Sequence, residues 1–141
     1  MPFVPKQILN LSSTTSPALA SAAYHSDPKL GGGFGYGRPA HQQFFVQVVR
    51  ANASPMTGVK FQVQVARDPS SPIWIPIRAR KASDVTATFA LELEVDASAG
   101  STNEDVLLSD DADGIPLVRV VAKSVGADAG VGDSCSAWAW V

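Results

Sequence analysis

Residues 59–65 read Val59-Lys60-Phe61-Gln62-Val63-Gln64-Val65, apolar at every odd position and polar at every even one. Side chains alternate between the two faces of a strand, so this spacing predicts a half-buried strand with its apolar row turned to a core. Upstream, Gln43-Phe44-Phe45-Val46-Gln47-Val48-Val49-Arg50 is β-branched and aromatic enough for a strand buried partly on both faces. Residues 51–58 place Asn, Ser, Pro and Thr-Gly turn chemistry between the two, which predicts an antiparallel hairpin.

The same period continues outward. After the polar turn Asp68-Pro69-Ser70-Ser71-Pro72, Ile73, Ile75 and Ile77 share one face and Trp74, Pro76 and Arg78 the other. Pro76 lacks a ladder N–H, so this strand belongs at a sheet edge. Phe89, Leu91, Leu93 and Val95 alternate with Ala90, Glu92 and Glu94 after a strand-prone Val85-Thr86-Ala87-Thr88, predicting one long strand. Residues 97–102 form a small-residue turn, Val106-Leu107-Leu108 a short apolar run, and residues 109–114 an acidic loop. From 117 to 124, Val118, Val120 and Ala122 oppose Arg119, Val121 and Lys123, and after a loop at 126–133 residues 134–141 form a last strand. No segment has the 3.6-residue period of a helix. The fold class is therefore all-β, an antiparallel β-sandwich or jelly roll of about seven to eight strands.

The first forty residues differ. Residues 3–11 are apolar without regular alternation and 12–16 are a hydroxyl run, so residues 1–16 read as an extended N-terminal arm and 17–141 as a single domain. Gly31-Gly32-Gly33-Phe34-Gly35-Tyr36-Gly37 reads as a loop, because glycines cost strand entropy and bring no side chains to a core. Neither 1–16 nor 31–37 holds enough apolar area to order without a partner.

Composition agrees. The chain has 141 residues and a mass of 14.8 kDa, the size of one domain, with about two-thirds of its surface available for burial. Charged residues are 17%, while Gly numbers 11 and Pro 10, which excludes coiled coils and charged disorder. A net charge of −2 and pI near 5.5 leave no basic field for nucleic acid or a membrane surface. The single Cys135 fits a cytosolic setting, and Met-Pro-Phe-Val-Pro at the start has the pattern of neither a signal peptide nor a span.

Catalytic and cofactor signals are thin. The Gly-rich run matches neither dinucleotide nor P-loop spacing, so no cofactor is expected. Ser109-Asp110-Asp111-Ala112-Asp113-Gly114 has part of a calcium loop, but Ser109 stands at the first ligand position and no Glu at the twelfth, so a solvated acidic turn is the simpler reading. His25, His41 and Cys135 stand apart without ligand or dyad spacing, which leaves catalytic and metal sites unassigned and the chain a non-enzyme. Glu92 and Glu94 read as a solvated face. In the last strand Trp138 and Trp140 alternate with Cys135, Ala137 and Ala139. Core packing by the tryptophans is the expectation; if the small face turns inward instead, they face a partner. Residues 29–81 carry eight basic side chains against Asp68 alone, and from residue 82 eleven acids face only Arg119 and Lys123, a sequence dipole that suits assembly if the halves stay apart.

An N-terminal arm, a Gly-rich loop, the strands Phe-Val-Gln-Val-Val and Thr-Gly-Val-Lys-Phe-Gln-Val-Gln-Val, then Ile-Pro-Leu-Val-Arg-Val-Val-Ala-Lys-Ser-Val-Gly resemble the jelly-roll cement proteins that decorate heads of tailed bacteriophages. The resemblance implies a virion protein, made in the host cytoplasm, that binds the outside of the capsid and clamps neighbouring major-capsid subunits as a dimer or trimer. Phe3, Ile8, Phe34 and Tyr36 are the expected apolar anchors, and Arg78, Arg80 and Lys81 the basic contact for acidic capsid surface. Another virion component (tail, adaptor or fibre-base protein) and a carbohydrate- or ligand-binding sandwich are the alternatives.

Overall fold

The computed structural model describes residues 5–27, 34–35, 43–68, 70–109 and 117–140. Ten strands run through them: β1 (Pro5–Ser12), β2 (Phe34–Gly35), β3 (Gln43–Val49), β4 (Gly58–Ala66), β5 (Ile75–Ile77), β6 (Ala79–Lys81), β7 (Leu93–Asp96), β8 (Thr102–Leu108), β9 (Leu117–Val125) and β10 (Ser134–Trp140). No helix occurs among the described residues. One sheet has the order β1-β10-β3-β8-β6 and the other β2-β9-β4-β5, with β7 also on β4.

The pairing is nested. β1 pairs antiparallel with β10, β2 with β9, β3 with β8 and β4 with β7, so the chain folds as one long hairpin rolled into two facing sheets. That is the jelly-roll arrangement, an all-β sandwich as the alternation predicts. The alternating rows supply the core: Val59, Phe61, Val63 and Val65 of β4 and Val118, Val120 and Ala122 of β9 meet Phe44, Val46 and Val48 of β3, all nearly or fully buried. At Gly58 a Cβ would meet the Val95 carbonyl oxygen at 2.5 Å, so only glycine lets β7 approach β4 there.

Four expectations are corrected. β3 and β4 are not a hairpin: β3 lies between β10 and β8, and β4 between β9 and the β5/β7 edge. The linking residues 50–57 cross from one sheet to the other, which an eight-residue connection does more readily than the two to five residues of hairpin loops. The long strand of residues 85–95 shrinks to Leu93–Asp96, because β5 already occupies β4 opposite Val63–Val65 and leaves β7 only Gly58–Phe61. Upstream, Ala90 forms an isolated bridge with Ala79 on the free side of β6.

The third concerns the arm. Pro5–Ser12 is an edge strand of the first sheet, with Ile8, Leu9 and Leu11 at 1%, 0% and 0% exposure. A register shift between Gln7 and Leu9 turns two adjacent residues inward, which is why the sequence shows no clean alternation there. Ile8 is therefore a core residue and not a partner anchor. Phe34–Gly35, read as loop, is a two-residue strand on Val118 and Leu117. Pro76 does sit in an edge strand, as its missing N–H requires.

Candidate functional site

β10 lies between β1 and β3 and decides which face of the first sheet meets the core. Cys135, Ala137 and Ala139 are all 0% exposed and point inward, so the expectation that the tryptophans pack the core is overturned at Trp138. The reason is volume. Flanking strands already send Leu9, Leu11, Phe44 and Val46 into the interior, and small side chains between them let those large ones interlock. Trp138 consequently stands on the outward face, half-buried, beside its cross-strand partner Phe45. Their rings are 5.8 Å apart at 48°, a tilted pair of the kind that contributes about 0.5 to 1.5 kcal/mol.

The register extends this pair into a surface. One row crosses the sheet as Gln7, Trp138, Phe45 and Asp105. Toward one end follow Leu107 of β8 and, opposite it, Arg80 of β6. Arg80 lies over the ring of Phe89, 5.4 Å from its centroid, and donates to the Asp84 carbonyl at 2.8 Å. Phe89 and Leu91 stay 39% and 49% exposed, and Arg78 is exposed alongside. Toward the other end the next row is Asn10, Ser136, Gln47 and Asn103, all amides or hydroxyls. The face is an aromatic strip with arginines at one end and carboxamides at the other.

Of the expected interface residues whose side chains are described, Arg78 and Arg80 reach this face. Lys81 turns away, its Nζ donating to the Glu94 carbonyl at 3.1 Å. Phe3, Tyr36 and the side chains of Phe34 and Trp140 lie outside the described residues, as does the acidic loop beyond Ser109. Phe45, Leu107 and Phe89 carry no sequence signal of their own; only the orientation of β10 exposes the pattern. The charge halves interleave where they meet, since β4 of the basic half sits between β9 and β7, and Lys60 pairs with Glu92 at 3.7 Å.

Of the groups considered for catalysis, His41 lies outside the described residues, and Cys135 and Glu92 are engaged structurally. His25 exchanges backbone hydrogen bonds with Ala122 at 3.0 Å each. Burial pushes the Cys135 thiol up to about 12, far from a reactive thiolate. Glu92 accepts a hydrogen bond from the Tyr24 hydroxyl, which, with Lys60 and Lys123 nearby, holds its carboxyl below the usual range against the opposing pull of burial. Among the described residues no group of three His, Cys, Asp or Glu is placed to hold a metal. A groove of about 550 Å³ opens beside β5, lined by Val65, Ile73, Ile75 and Ile77 together with Arg67 and Asp68.

Comparison of the chain with protein-family models, with curated proteins and with solved structures returns no match.

Proposed function

We propose that this jelly roll is a structural virion protein that binds the outside of a phage capsid and cements neighbouring major-capsid subunits. The resemblance of its strand and loop order to cement proteins supports the partner class. One observation carries the means: the outward Trp138–Phe45 strip, continued by Leu107 and by the Arg80–Phe89 stack. Tryptophan and arginine dominate binding hot spots, and a rigid sheet presents them without ordering cost. Cementing is then mass action, in which a protein bound only to assembled subunits stabilises the shell against dissociation. Particles assembled without the protein should break at lower temperature and milder osmotic shock than complete ones, and adding it back should restore them. Equal resistance of both particles rules the reading out.

The carboxamide row favours a second reading, a carbohydrate-binding sandwich. Asn10, Gln47 and Asn103 offer paired donors and acceptors beside an aromatic ring, the groups that recognise sugar hydroxyls. Saturable quenching of tryptophan fluorescence by a neutral oligosaccharide, lost in Trp138→Ala, would favour it over the cement.

A further inference from the structure

The outward face of the second sheet carries a separate device. Arg119 of β9 stands opposite Gln64 of β4 in the register, and its Nε donates to Gln64 Oε1 at 2.9 Å. Gln64 is steadied in turn, its Nε2 donating to Gln62 Oε1 at 3.2 Å. Trp74, just before β5, lays its ring against the guanidinium, with Cζ 4.4 Å from the centroid. One flat side of the cation is thus walled by an aromatic, and its Nε edge is tied to the sheet. The guanidinium is a planar fork whose terminal N–H groups match the two oxygens of a carboxylate.

Arg119 has no ion pair among the described residues, although Lys60 on the same face holds Glu92. It is half-buried, and burial draws its pKa down. A cation partly removed from water, held in one orientation and without a counter-charge among the described residues, is complementary to an incoming anion.

We propose that Arg119, walled by Trp74 and oriented by Gln64, receives a single carboxylate, an aspartate or glutamate side chain presented by a protein partner. Charge decides against a phosphate polymer. Glu92 and Glu94 stand exposed on the same side of the sheet near Lys60, and the chain as a whole carries −2, so a polyanion is repelled where one carboxylate is accepted. Lys123, two positions along the same face of β9, adds to the local field. The receptor lies on the sheet opposite the Trp138 strip and does not depend on the virion reading.

The test is a nuclear magnetic resonance titration of the full chain, following the Arg119 Nε–Hε and Trp74 indole resonances. The probes are a blocked Gly-Glu-Gly peptide, its Gly-Gln-Gly counterpart and inorganic phosphate. The glutamate peptide should shift both resonances saturably and the glutamine peptide should shift neither. Arg119→Lys keeps the charge but loses the fork, and should bind the glutamate peptide about tenfold more weakly while the remaining amide spectrum is unchanged. Trp74→Leu should weaken binding as well. Equal affinity in Arg119→Lys, equal response to the glutamine peptide, or tighter binding of phosphate than of the glutamate peptide overturns the proposal.

Discussion

Asp133 is nearly fully buried, at 1% exposure, and ties one end of the sandwich together. Its Oδ1 accepts from the Ala51 amide at 2.7 Å, and its Oδ2 from Ser54 Oγ at 2.5 Å and the Gly130 amide at 2.8 Å. Arg50 reaches the carbonyls of Ser54, Met56 and Ser98 at 2.6, 2.7 and 3.0 Å, so the connections 50–57, 97–101 and 126–133 share one knot. Asp133→Ala strands one buried and two partly buried donors and should cost about 2 to 3 kcal/mol, measured by urea unfolding. Burial pulls the Asp133 carboxyl up, but its hydrogen bonds and the nearby Arg50 outweigh that pull and hold it below the usual range. A depressed carboxyl contributes stability that is complete above its unfolded pKa of about 3.9 and is lost as pH falls through the folded value. The acid-dependent part of unfolding below about pH 4 should accordingly flatten in Asp133→Asn. Ser124 is the opposite case. Its hydroxyl is buried without a partner among the described residues, so Ser124→Ala should leave stability unchanged or raise it by up to about 1 kcal/mol in the same unfolding measurement.

At the scale of the element, β1 is the place where an arm and a strand differ most in consequence. Burying Ile8, Leu9 and Leu11 is worth about 1.5 to 3 kcal/mol each, which together approaches the whole stability of a domain. Deleting residues 1–12 should therefore abolish the cooperative melt followed by circular dichroism, where a free arm would leave it intact. The sequence hides this because period 2 fails at the bulge between Gln7 and Leu9, and a broken period looks the same as no period. β4 and β9 are the most legible: β4 alternates from Val59 to Val65 between a buried row and a half-exposed one, and β9 does so except at Val121, whose side chain is buried on the otherwise half-exposed row. β10 is legible as a strand but not in orientation. A row of Cys and Ala is small enough to face either way, and only the volume sent inward by Leu9 and Phe44 on the neighbouring strands decides it. The candidate face was hidden for the same reason: Phe45 and Trp138 become neighbours through a pairing between residues far apart in the chain.

For the whole molecule, two outward faces of different chemistry suit a protein that joins others. On the first, the aromatic strip and the arginine end separate by their response to salt. An exposed ion pair contributes about 0 to 1 kcal/mol and is screened over about 10 Å at 0.1 M salt. Replacing Arg78 and Arg80 with Ala should weaken attachment to particles mainly at low salt. Phe45→Ala with Trp138→Ala should weaken it at every salt concentration, while both variants keep the strand signature in circular dichroism. Attachment assayed by co-sedimentation at two salt concentrations distinguishes the two contributions.

The nested pairing also orders events in time. Its outermost pair joins Leu11 to Cys135, so the first strand made finds its partner only after nearly all the others have been synthesised. Until then Ile8, Leu9 and Leu11 have no sheet to join, and the growing chain carries an apolar, strand-forming segment into a crowded cell. Contacts of such long sequence separation also make spontaneous folding slow, on the order of milliseconds to seconds for domains of this kind. High-level expression is therefore a race between ring closure of the outermost hairpin and capture of its leading strand by other nascent copies, a race that slower translation or lower temperature tilts toward the native protein.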